Sequence, residues 1–322
     1  MEGYLLTIAI PTYNRCELLK MALDSILHQI NTRVEVIVCD NASEDNTEEL
    51  VKKYVNEYGI KYYRNKKNLR MDGNFLKCLE LAEGKYIHLM SDDDILLEGA
   101  VDAILRKIES EAPDYINLNS CAYWEDKRKM SAPRMLLEED LITFDKAEYI
   151  KKLGVYITYI SATILRKEDF LQIENPQKYF GTHFLHAHIV LEILGKGDKK
   201  VIITKEPALA CKMNNSGGFD LYEVWIKQYK KLLLGTGVKN GFPYKIMKDI
   251  YIEDVNGFIK ESILKYSIVE NDYIMKERYQ LFRYTWMYPR VWVKTYFIAY
   301  APLWLKKKIY EKKQARKKLS KG

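Results

Sequence analysis

Residues 84–94 read Gly-Lys-Tyr-Ile-His-Leu-Met-Ser-Asp-Asp-Asp, a short apolar run that ends in three consecutive carboxylates. The run Tyr86–Met90 predicts a buried strand, and Asp92, Asp93 and Asp94 stand just past its carboxyl end. In an open parallel sheet, ligands bind beyond the carboxyl ends of the strands. The stretch therefore predicts a sheet of this kind with a ligand site at its edge.

Apolar runs and helical patterns alternate in the same way over the first 120 residues. Short continuous apolar runs predict strands, and apolar residues at every third or fourth position predict helices. The predicted strands are Tyr4–Ile10, Val34–Cys39, Ile60–Arg64 and Tyr86–Met90, and the predicted helices are 16–29, 46–58, Gly73–Ala82 and Glu98–Ile108. Asn46 with Glu49 predicts a capping box for the second helix. This alternation indicates an α/β fold with a mostly parallel sheet and helices on both faces.

The rest of the chain is less regular. The predicted strands there are Tyr115–Tyr123, Thr158–Arg166, Val201–Thr204 and Ala208–Met213, and the predicted helices are 140–153 and 183–194. Residues 214–218, Asn-Asn-Ser-Gly-Gly, have the composition of a loop. From about residue 220 the pattern is helical. We therefore expect a mixed second half followed by a helical C-terminal region.

Several classes of protein are disfavoured by motifs that the chain lacks. No G-x-G-x-x-G follows the first predicted strand, which argues against a dinucleotide dehydrogenase, and no G-x-x-x-x-G-K-[ST] indicates a P-loop. The five cysteines form no C-x-x-C, so neither a zinc site nor a disulfide framework is expected, and a reducing cytosol fits. The opening MEGYLLTIAI has no basic segment or cleavage site, and it predicts a strand with no sign of a secretory signal.

The net charge of +7 is concentrated at one end of the chain. Residues 303–322 contain nine Lys or Arg and one acid, Glu311, which gives this tail +8 and leaves −1 for the other 302 residues. A nucleic-acid-binding domain needs a basic face on its folded body. The nearly neutral body therefore argues against nucleic acid as a partner.

The three carboxylates at 92–94 predict a metal site. Adjacent carboxylates raise each other's pKa by repulsion, and a divalent cation relieves that repulsion. Hard oxygen ligands suit Mg²⁺ or Mn²⁺, which also bridge phosphate oxygens, and such an ion can neutralise a departing nucleotide diphosphate. The alternative is an acidic cluster stabilised by a helix dipole. The position directly after a predicted strand favours the metal site.

Four segments, in order and with matching spacing, resemble the motifs of glycosyltransferase family 2, a family with the GT-A fold. They are IAIPTYNR at 8–15, VCDNASEDNT at 38–47, Asn68 with Asn74 and Phe75, and GKYI at 84–87 together with SDDD at 91–94. The resemblance is strong over 1–120 and loose over 120–215, and it does not reach the C-terminal helices. It implies a Rossmann-like sheet with an acceptor subdomain and a metal-dependent enzyme that uses a nucleotide-sugar donor.

The resemblance also implies which residues bind the donor. Thr12 and Tyr13 would lie beside the base or ribose, and Asp40 would accept a hydrogen bond from a pyrimidine. The nucleotide-sugar-binding residues expected in this way are Pro11, Thr12, Tyr13, Arg15, Asp40, Asn68, Arg70, Asn74, Asp92 and Asp93.

The same resemblance assigns the metal and the diphosphate. Asp94 would bind the metal, with Asp92 as a second ligand that also contacts the ribose or sugar. Arg15 and Arg70 are the candidates for the diphosphate. Arg70 stands where the family usually has a small residue, so a solvated loop charge is an equal alternative for it.

Residues 180–186, Phe-Gly-Thr-His-Phe-Leu-His, resemble the acceptor-side segment of the family, in particular of a subgroup that transfers dideoxyhexoses in O-antigen synthesis. Inverting members carry an acidic general base there, and this chain has His183 at that position. Histidine can act as a base near neutral pH. His186 lies on the same helical face and is a candidate for acceptor or metal binding. A structural, hydrogen-bonded role is the alternative for both, so inversion and retention both stay open.

The C-terminal region combines aromatic and basic residues. The apolar stretch Val291–Leu305 has about 15 residues, fewer than the roughly 20 that span a bilayer, and Lys306, Lys307 and Lys308 follow it. Trp and Tyr favour the headgroup zone, so this pattern predicts an interfacial helix on an anionic membrane surface. The alternative is that the aromatic residues pack on the enzyme body.

Three segments with different tasks are predicted: a nucleotide-sugar-binding half at 1–120, an acceptor-binding half at 121–219, and a helical region with a basic tail at 220–322. The predicted function is transfer of a sugar to a glycan acceptor, expected to be lipid-linked, in bacterial surface polysaccharide synthesis (O-antigen or capsule). The predicted location is the cytoplasm, at the inner face of the membrane. The alternative is an inactive sugar-binding or scaffold subunit, which the intact carboxylates disfavour. A sugar nucleotidyltransferase would need a Gly-rich loop where 11–14 read Pro-Thr-Tyr-Asn. UDP, CDP and dTDP donors all stay open.

Overall fold

A computed structural model describes residues 3–124, 126, 128–213, 218–269 and 274–319. The chain divides into two compact units, Met1–Asn214 and Asn215–Gly322. Of the predicted loop at 214–218, only Gly218 lies within the described residues.

The first unit contains a central sheet and its helices. Its strands are β1 Leu6–Thr12, β2 Val34–Asp40, β3 Lys61–Arg64, β4 Tyr86–Leu89, β5 Ile95–Leu96, β6 Tyr115–Tyr123, β7 Leu141–Thr143, β8 Thr163–Arg166 and β9 Val201–Lys212. Its helices are α1 Cys16–Leu27, α2 Thr47–Tyr58, α3 Arg70–Leu81, α4 Ala100–Glu111, α5 Lys146–Leu153, α6 Lys167–Leu171 and α7 Leu185–Gly195, with 3₁₀ turns at Gly154–Thr158, Ile160–Ala162 and Pro176–Tyr179.

The strands are ordered β3-β2-β1-β4-β8-β6-β9-β5, and β7 pairs with the other part of β9. Strands β1 to β4 are mutually parallel. Strand β8 runs antiparallel between β4 and β6, β9 is parallel to β6, and β5 and β7 are antiparallel to β9. The predicted α/β fold around a central sheet is confirmed; its parallel part is the first half, and the second half is mixed.

Both faces of the parallel part are covered. Leu6, Ile8 and Ile10 of β1 lie on one face, in a core cluster with apolar residues of α1, α2 and α4. Helix α3 packs against β1, β2 and β4 on the other face, where Asn74 Nδ2 donates to the carbonyl of Cys39 at 2.8 Å. Every residue of β1 and β2 is buried, which explains why these strands appear in the sequence as near-continuous apolar runs.

Three expectations about local structure were wrong. Residues 140–153 form β7 and then α5 instead of one helix, because Asp145 caps α5 by accepting from the backbone N–H of Ala147 at 2.7 Å. The strand predicted from Thr158 begins at Thr163, after two 3₁₀ turns. The capping box is absent, since Asn46 makes no side-chain cap.

The two strands predicted at 201–204 and 208–213 are one strand, β9. Its pairing with β6 shifts register around Asn119, opposite Pro207. A proline cannot donate to the ladder, so the irregularity falls where the sequence suggested a break.

The second unit is helical over its described residues, as predicted. Its α-helices are α8 Tyr244–Asp254, α9 Lys260–Tyr266, α10 Tyr279–Thr285, α11 Pro289–Val291, α12 Phe297–Tyr300 and α13 Leu303–Leu319, joined by π-helical turns at Glu223–Gln228, Lys231–Gly237, Val255–Ile259 and Trp292–Tyr296. Among the described residues, no helix is both long and apolar enough to cross a membrane.

Gly84 precedes β4 and packs directly against β1. A Cβ atom there would lie 2.6 Å from the backbone nitrogen of Thr7 and 2.7 Å from the carbonyl carbon of Leu6. Two strands would have to separate to admit it, and overpacking of this kind costs about 1–3 kcal/mol. We expect Gly84→Ala to lower the free energy of unfolding, measured by urea denaturation, by about 2 kcal/mol.

The matched control for this substitution is Gly235→Ala. Gly235 lies in a helical segment, and an added Cβ there meets nothing within 4 Å. The control should be neutral or slightly stabilising, because alanine has the higher helix propensity. Equal stabilities for the two variants would contradict the close approach of Gly84 to β1.

Candidate active site

The carboxyl ends of β1 and β4 bring a hydroxyl, a guanidinium and carboxylates together. Thr12 Oγ1 donates to Asp92 Oδ2 at 2.8 Å. Arg15 Nη1 donates to Asp92 Oδ1 at 3.1 Å and to Asp93 Oδ2 at 3.3 Å. Ser91 Oγ also donates to Asp93, at 2.5 Å. The structure thus assembles these predicted residues at one sheet edge, as the parallel strand order requires.

Asp92 carries an unfavourable charge in this position. Burial raises its pKa to about 6, the neighbouring charge of Asp93 adds to the effect, and Arg15 opposes it. The free site therefore has more negative charge than its single guanidinium compensates, which favours binding of a cation.

Asp94 is buried against the mixed half of the sheet. Its Oδ2 accepts from the hydroxyls of Tyr159 at 2.8 Å and Ser161 at 2.5 Å, and its Oδ1 accepts from the backbone N–H of Lys212 at 3.1 Å. Burial and the charge of Asp93 raise its pKa to about 7. These donors fix the orientation of the carboxylate without neutralising it.

Ser161 is in turn held from the next strand. Its Oγ accepts from the backbone N–H of Ser91 at 2.9 Å, and its carbonyl accepts from His88 Nε2 at 2.7 Å. Burial lowers the pKa of His88 to about 4, so its ring is neutral at pH 7. A chain of hydrogen bonds therefore runs from β4 to Asp94.

Asp40, at the end of β2, is fully buried and has several donors within the protein. Its Oδ1 accepts from the backbone N–H of Ser43 at 2.8 Å, and its Oδ2 accepts from the hydroxyl of Tyr62 at 2.7 Å and lies 3.4 Å from Arg64 Nε. These contacts hold the loop after β2. The contact of Asp40 with a pyrimidine stays a prediction.

Asn68 and Asn74 belong to a network of side-chain amides behind this loop. Asn41 Nδ2 donates to Asn68 Oδ1 at 2.9 Å, and Asn65 Nδ2 donates to Asn74 Oδ1 at 2.9 Å. Asn41 Oδ1 accepts from the backbone N–H of Leu69 at 2.8 Å. The network joins the second and third sequence motifs, and it gives both predicted residues a role in shaping the site.

The other predicted donor-site residues differ in exposure. Pro11 is buried within β1, whereas Tyr13 is 40% exposed just after it. Arg70 is exposed at the start of α3, and no ion pair connects it to the described carboxylates at 92–94. The structure therefore brings Arg15, but not Arg70, into contact with the carboxylate cluster.

Several non-glycine residues of these segments have left-handed backbone conformations. They are Asn14, Ala42, Arg70 and His183, with φ of 52°, 65°, 61° and 64°. Non-glycine residues with positive φ are uncommon and carry strain that concentrates at functional sites. Their positions in the loops at the carboxyl edge support a binding role for this edge.

Asp72 of α3 holds the acceptor-side segment. Its carboxylate is 6% exposed and accepts from the backbone N–H groups of Gly181 at 2.8 Å, His183 at 3.2 Å and Leu185 at 3.4 Å. One carboxylate thus accepts from two N–H groups of the loop before α7 and from that of Leu185, the first residue of the helix, where backbone donors lack helical partners. His183 is thereby held in a left-handed conformation before α7 begins at Leu185, so the prediction that it shares a helical face with His186 was wrong.

His186 occupies a buried position in the first turn of α7. Its Nε2 donates to the carbonyl of Thr158 at 2.9 Å, and its ring packs edge-on against Phe75 at 5.8 Å. Burial lowers its pKa. This environment favours the structural alternative for His186 over a role as acceptor or metal ligand.

The arrangement of carboxylates fits a cation that binds together with a substrate. Among the described residues, no group of three His, Cys, Asp or Glu side chains is placed to hold a metal ion on its own. Mg²⁺ is usually bound by one or two carboxylates plus substrate phosphates. Asp92, Asp93 and Asp94 supply hard oxygen donors of this type at one edge.

A sequence model described as Glycosyl transferase family 2 matches residues 7–173, more than half of the chain. The chain belongs to glycosyltransferase family 2. The matched range includes the strand-end motifs and the carboxylates at 92–94, and it confirms the family predicted from those motifs.

Two relatives indicate the kind of glycosyltransferase to which this chain is similar. It is 28% identical over 290 residues to Abequosyltransferase RfbV of Salmonella typhimurium, covering 85% of this chain and 81% of that protein. It is 35% identical over 105 residues to GalNAc(5)-diNAcBac-PP-undecaprenol beta-1,3-glucosyltransferase of Campylobacter jejuni, covering 32% of this chain and 34% of that protein.

Solved glycosyltransferases share the fold. S. aureus TarS 1-349 in complex with UDP-GlcNAc matches with a TM-score of 0.62 at 14% identity, over 91% of this chain and 90% of that one. The mannosyltransferase PcManGT from Pyrobaculum calidifontis, in complex with GDP-Man and Mn²⁺, matches with a TM-score of 0.53 at 13% identity, over 98% and 80%. The predicted GT-A fold is confirmed.

Some residues of this glycosyltransferase site were missed by the sequence analysis. Tyr159 and Ser161, which orient Asp94, lie in a stretch predicted as a plain strand. Asp72, which holds the segment at 180–186, lies between the two asparagines of the third motif. An acid in the first turn of a buried helix was a signal that could have identified Asp72.

Proposed function

We propose that this glycosyltransferase takes its sugar from a nucleoside-diphosphate donor, requires Mg²⁺ or Mn²⁺, and acts on a lipid-linked glycan acceptor in surface polysaccharide synthesis. The observation that carries the proposal is the cluster of Asp92, Asp93 and Asp94 at the carboxyl end of β4, bonded to Thr12 and Arg15. Closely spaced buried carboxylates make folding less favourable. A role in binding the donor explains why the chain has them.

The donor half is proposed to be 1–120. Pro11, Thr12 and Tyr13 line the end of β1, where Tyr13 presents an exposed ring for a base or ribose. The amide network of Asn68 and Asn74 fixes the loops on either side. Two proteins of this fold bind nucleotide sugars: TarS has been solved in complex with UDP-GlcNAc, and PcManGT in complex with GDP-Man.

Asp94 and Asp92 are proposed to hold the metal. When bound, the ion neutralises charge on the departing nucleoside diphosphate. The chain itself prepares this position, because Tyr159 and Ser161 orient Asp94 while Arg15 orients Asp92 and spans to Asp93.

The acceptor half is proposed to be 121–219, with His183 as the general base that takes the proton of the acceptor hydroxyl. Asp72 holds the backbone of this residue, so the imidazole is presented from a fixed loop. The likeness to RfbV and to the Campylobacter glucosyltransferase, whose name specifies an undecaprenol-linked substrate, supports a lipid-linked glycan acceptor.

The region 220–322 is proposed to contact an anionic membrane surface, where it would meet such an acceptor on the cytoplasmic side. One face of the 289–300 segment is buried through Val291, Thr295 and Ala299. The other face, with its flanks, is exposed and rich in aromatic residues: Phe282, Trp286, Trp292, Val293, Phe297, Tyr300, Leu303 and Trp304 are 44–80% exposed. Exposed Trp and Tyr beside basic residues are typical of interfacial helices.

The prediction that Lys306 belongs to an exposed basic cluster was wrong. Lys306 is only 5% exposed, and its Nζ donates to Ser267 Oγ at 3.3 Å and to the carbonyl of Ala299 at 3.2 Å. It anchors α13 inside the unit. Lys307 and Lys308 are therefore the lysines of this run that are available to a membrane.

A donor panel tests the proposed function. Purified enzyme is incubated with UDP-, CDP-, dTDP- and GDP-sugars, a lipid-diphosphate glycan acceptor and Mg²⁺ or Mn²⁺, and release of nucleoside diphosphate is measured. We expect acceptor-dependent release with one base. Metal-independent release would contradict the metal requirement, and the absence of nucleotide binding across the panel would favour an inactive subunit.

Membrane contact is tested by Lys307→Gln with Lys308→Gln. Each basic residue near an anionic surface contributes about 1 kcal/mol, so the double variant should bind anionic liposomes roughly 30-fold more weakly at low salt. Binding of the wild type should also weaken as salt rises. Sedimentation with phosphatidylglycerol vesicles measures both effects.

The control for this double variant is Lys52→Gln with Lys53→Gln on α2, which removes two exposed lysines paired with Glu48 and Glu49. This control should bind vesicles as the wild type does. Sedimentation of the Lys307 and Lys308 variant at the wild-type level would show that the tail is no anchor.

A further inference from the structure

Arg134, close to the carboxylate cluster, has no acidic partner in an ion pair among the described residues. It is partly buried, and its guanidinium makes no salt bridge with the described carboxylates. The hydrogen bond recorded for its side chain is a weak one, from Nη2 to the sulfur of Met213 at 3.5 Å. By contrast, Arg15 and Arg166 each pair with an aspartate.

The position of Arg134 is well fixed. Its backbone N–H donates to the carbonyl of Ser120 at 2.7 Å, and the next residue, Met135, is bonded to the side chain of Asn119. The guanidinium lies 5.0 Å from the ring centroid of Tyr159, in a cation–π contact. The backbone of Arg134 is thus bonded to β6, and its guanidinium packs against the ring of Tyr159.

This ring connects Arg134 to the reaction site. The hydroxyl of Tyr159 donates to Asp94 Oδ2 at 2.8 Å. Burial lowers the pKa of Arg134, and ionisable neighbours that include Cys211, Tyr159 and Asp94 raise it above its ordinary value. The guanidinium is therefore charged, and it belongs to a segment tied to β6, whereas Arg15 follows β1.

No described carboxylate forms an ion pair with Arg134, and its printed side-chain hydrogen bond goes to a sulfur, so its N–H groups can bind an anion that comes with a substrate. The planar fork of arginine matches phosphate oxygens with two parallel hydrogen bonds. We propose that Arg134 binds the diphosphate of the nucleotide-sugar donor and stabilises it as the leaving group. This inference rests on the proposed nucleotide-sugar donor and adds a second cation to the metal.

Arg134→Gln tests the inference by calorimetry with UDP, CDP, dTDP and GDP in the presence of Mn²⁺, and with the parent nucleosides. Loss of a charge-assisted, bidentate contact should weaken binding of the preferred nucleoside diphosphate by roughly 10- to 100-fold. Affinity for the nucleoside should stay unchanged, since it carries no phosphate. Arg134→Lys keeps the charge but not the fork, and should lie between the two.

The matched control is Arg128→Gln, on the same loop. The side chain of Arg128 is 86% exposed and pairs with Asp126, so nucleotide affinity should not change. If Arg134→Gln is poorly folded, judged by its unfolding temperature, the lysine variant supplies the decisive comparison. That variant must then bind the diphosphate several-fold more weakly than the wild type while binding the nucleoside equally well.

Three results would overturn the inference. Unchanged diphosphate affinity with a raised KM for the acceptor would place Arg134 on a phosphate of the lipid-linked acceptor instead. Equal loss of diphosphate and nucleoside affinity would show a structural role. A wild-type protein that binds none of the four diphosphates would overturn the proposed donor, and this inference with it.

Discussion

Replacing Asp94 by asparagine is expected to lower sugar transfer by at least about 10³-fold, because a metal ligand that offsets leaving-group charge contributes several kcal/mol. The protein should stay folded. Asparagine has the shape of aspartate, and its amide can donate to the hydroxyl oxygens of Tyr159 and Ser161 while its carbonyl accepts from the backbone of Lys212. Alanine would leave these donors without an acceptor and is the less informative variant.

The stability of this variant gives a second readout. Burial raises the pKa of Asp94 to about 7, so above that pH the ionised carboxylate makes folding less favourable than a neutral group would. Below pH 7 the folded protein holds the proton more tightly than the unfolded chain, and the cost fades. Asp94→Asn should therefore unfold at the same or a higher temperature than the wild type at pH 8.

Release of nucleoside diphosphate measures the activity, and excess chelator should abolish it in the wild type until Mg²⁺ or Mn²⁺ is restored. Asp102→Asn, an exposed acid in the first turn of α4, is the control and should retain full activity. An unchanged rate of sugar transfer in Asp94→Asn, or in the wild type with excess chelator, would contradict the metal-dependent mechanism.

Strands β1, β2 and β4 of the first half were predictable because they are buried on both faces. Strand β2 was expected at Val34–Cys39 and spans Val34–Asp40, and α2 ends at the predicted Tyr58. A nearly continuous apolar run, such as Val34–Cys39 with its single interruption at Glu35, can be located from the sequence alone. Strand β7 could not be located in this way, because its three residues are held by pairing with β9. No local sequence pattern encodes that pairing.

The site was predictable to the extent that its residues adjoin one another in sequence. Asp92, Asp93 and Asp94 follow a single strand, and Thr12 and Arg15 meet them because parallel strands end at the same edge. The groups that tune this cluster come from distant segments. From the mixed half of the sheet, Tyr159 donates to Asp94 and Arg134 packs on the ring of Tyr159. Sequence spacing says nothing of these proximities.

The lysine run at 306–308 shows the same limit. Three identical residues in succession suggest one solvated patch, yet α13 turns Lys306 into the unit and the others outward. The pKa of Lys306 is lowered by burial. Identical neighbours on a helix point in different directions, so composition alone overstated the basic surface.

Replacing His183 is expected to lower turnover by about 10²–10⁴-fold, the usual contribution of a general base. The choice of substitute matters, because His183 has a φ of 64° and its backbone N–H donates to Asp72. Asparagine tolerates the left-handed region better than most residues, and glycine adopts it without strain. His183→Asn and His183→Gly therefore remove the imidazole while keeping the conformation of the loop.

Donor binding should survive both substitutions, since Thr12 and Arg15 hold Asp92 through their own contacts. Calorimetry with the nucleoside diphosphate checks this. The wild-type rate should fall on the acid side as the imidazole becomes protonated, and the variants should lose this limb of the profile. His28→Asn, which removes an exposed histidine just after α1 that pairs with Glu98, is the control for histidine loss.

The two variants together separate chemistry from conformation. A base contributes through its nitrogen, so asparagine and glycine should be equally impaired although they differ in side-chain bulk and in backbone freedom. If glycine were far worse than asparagine, the loop conformation held by Asp72 would be the important property, and His183 would be structural. Near-normal turnover in both variants would show that His183 is not a general base. It would favour a retaining course, in which the acceptor hydroxyl needs no such residue from the chain.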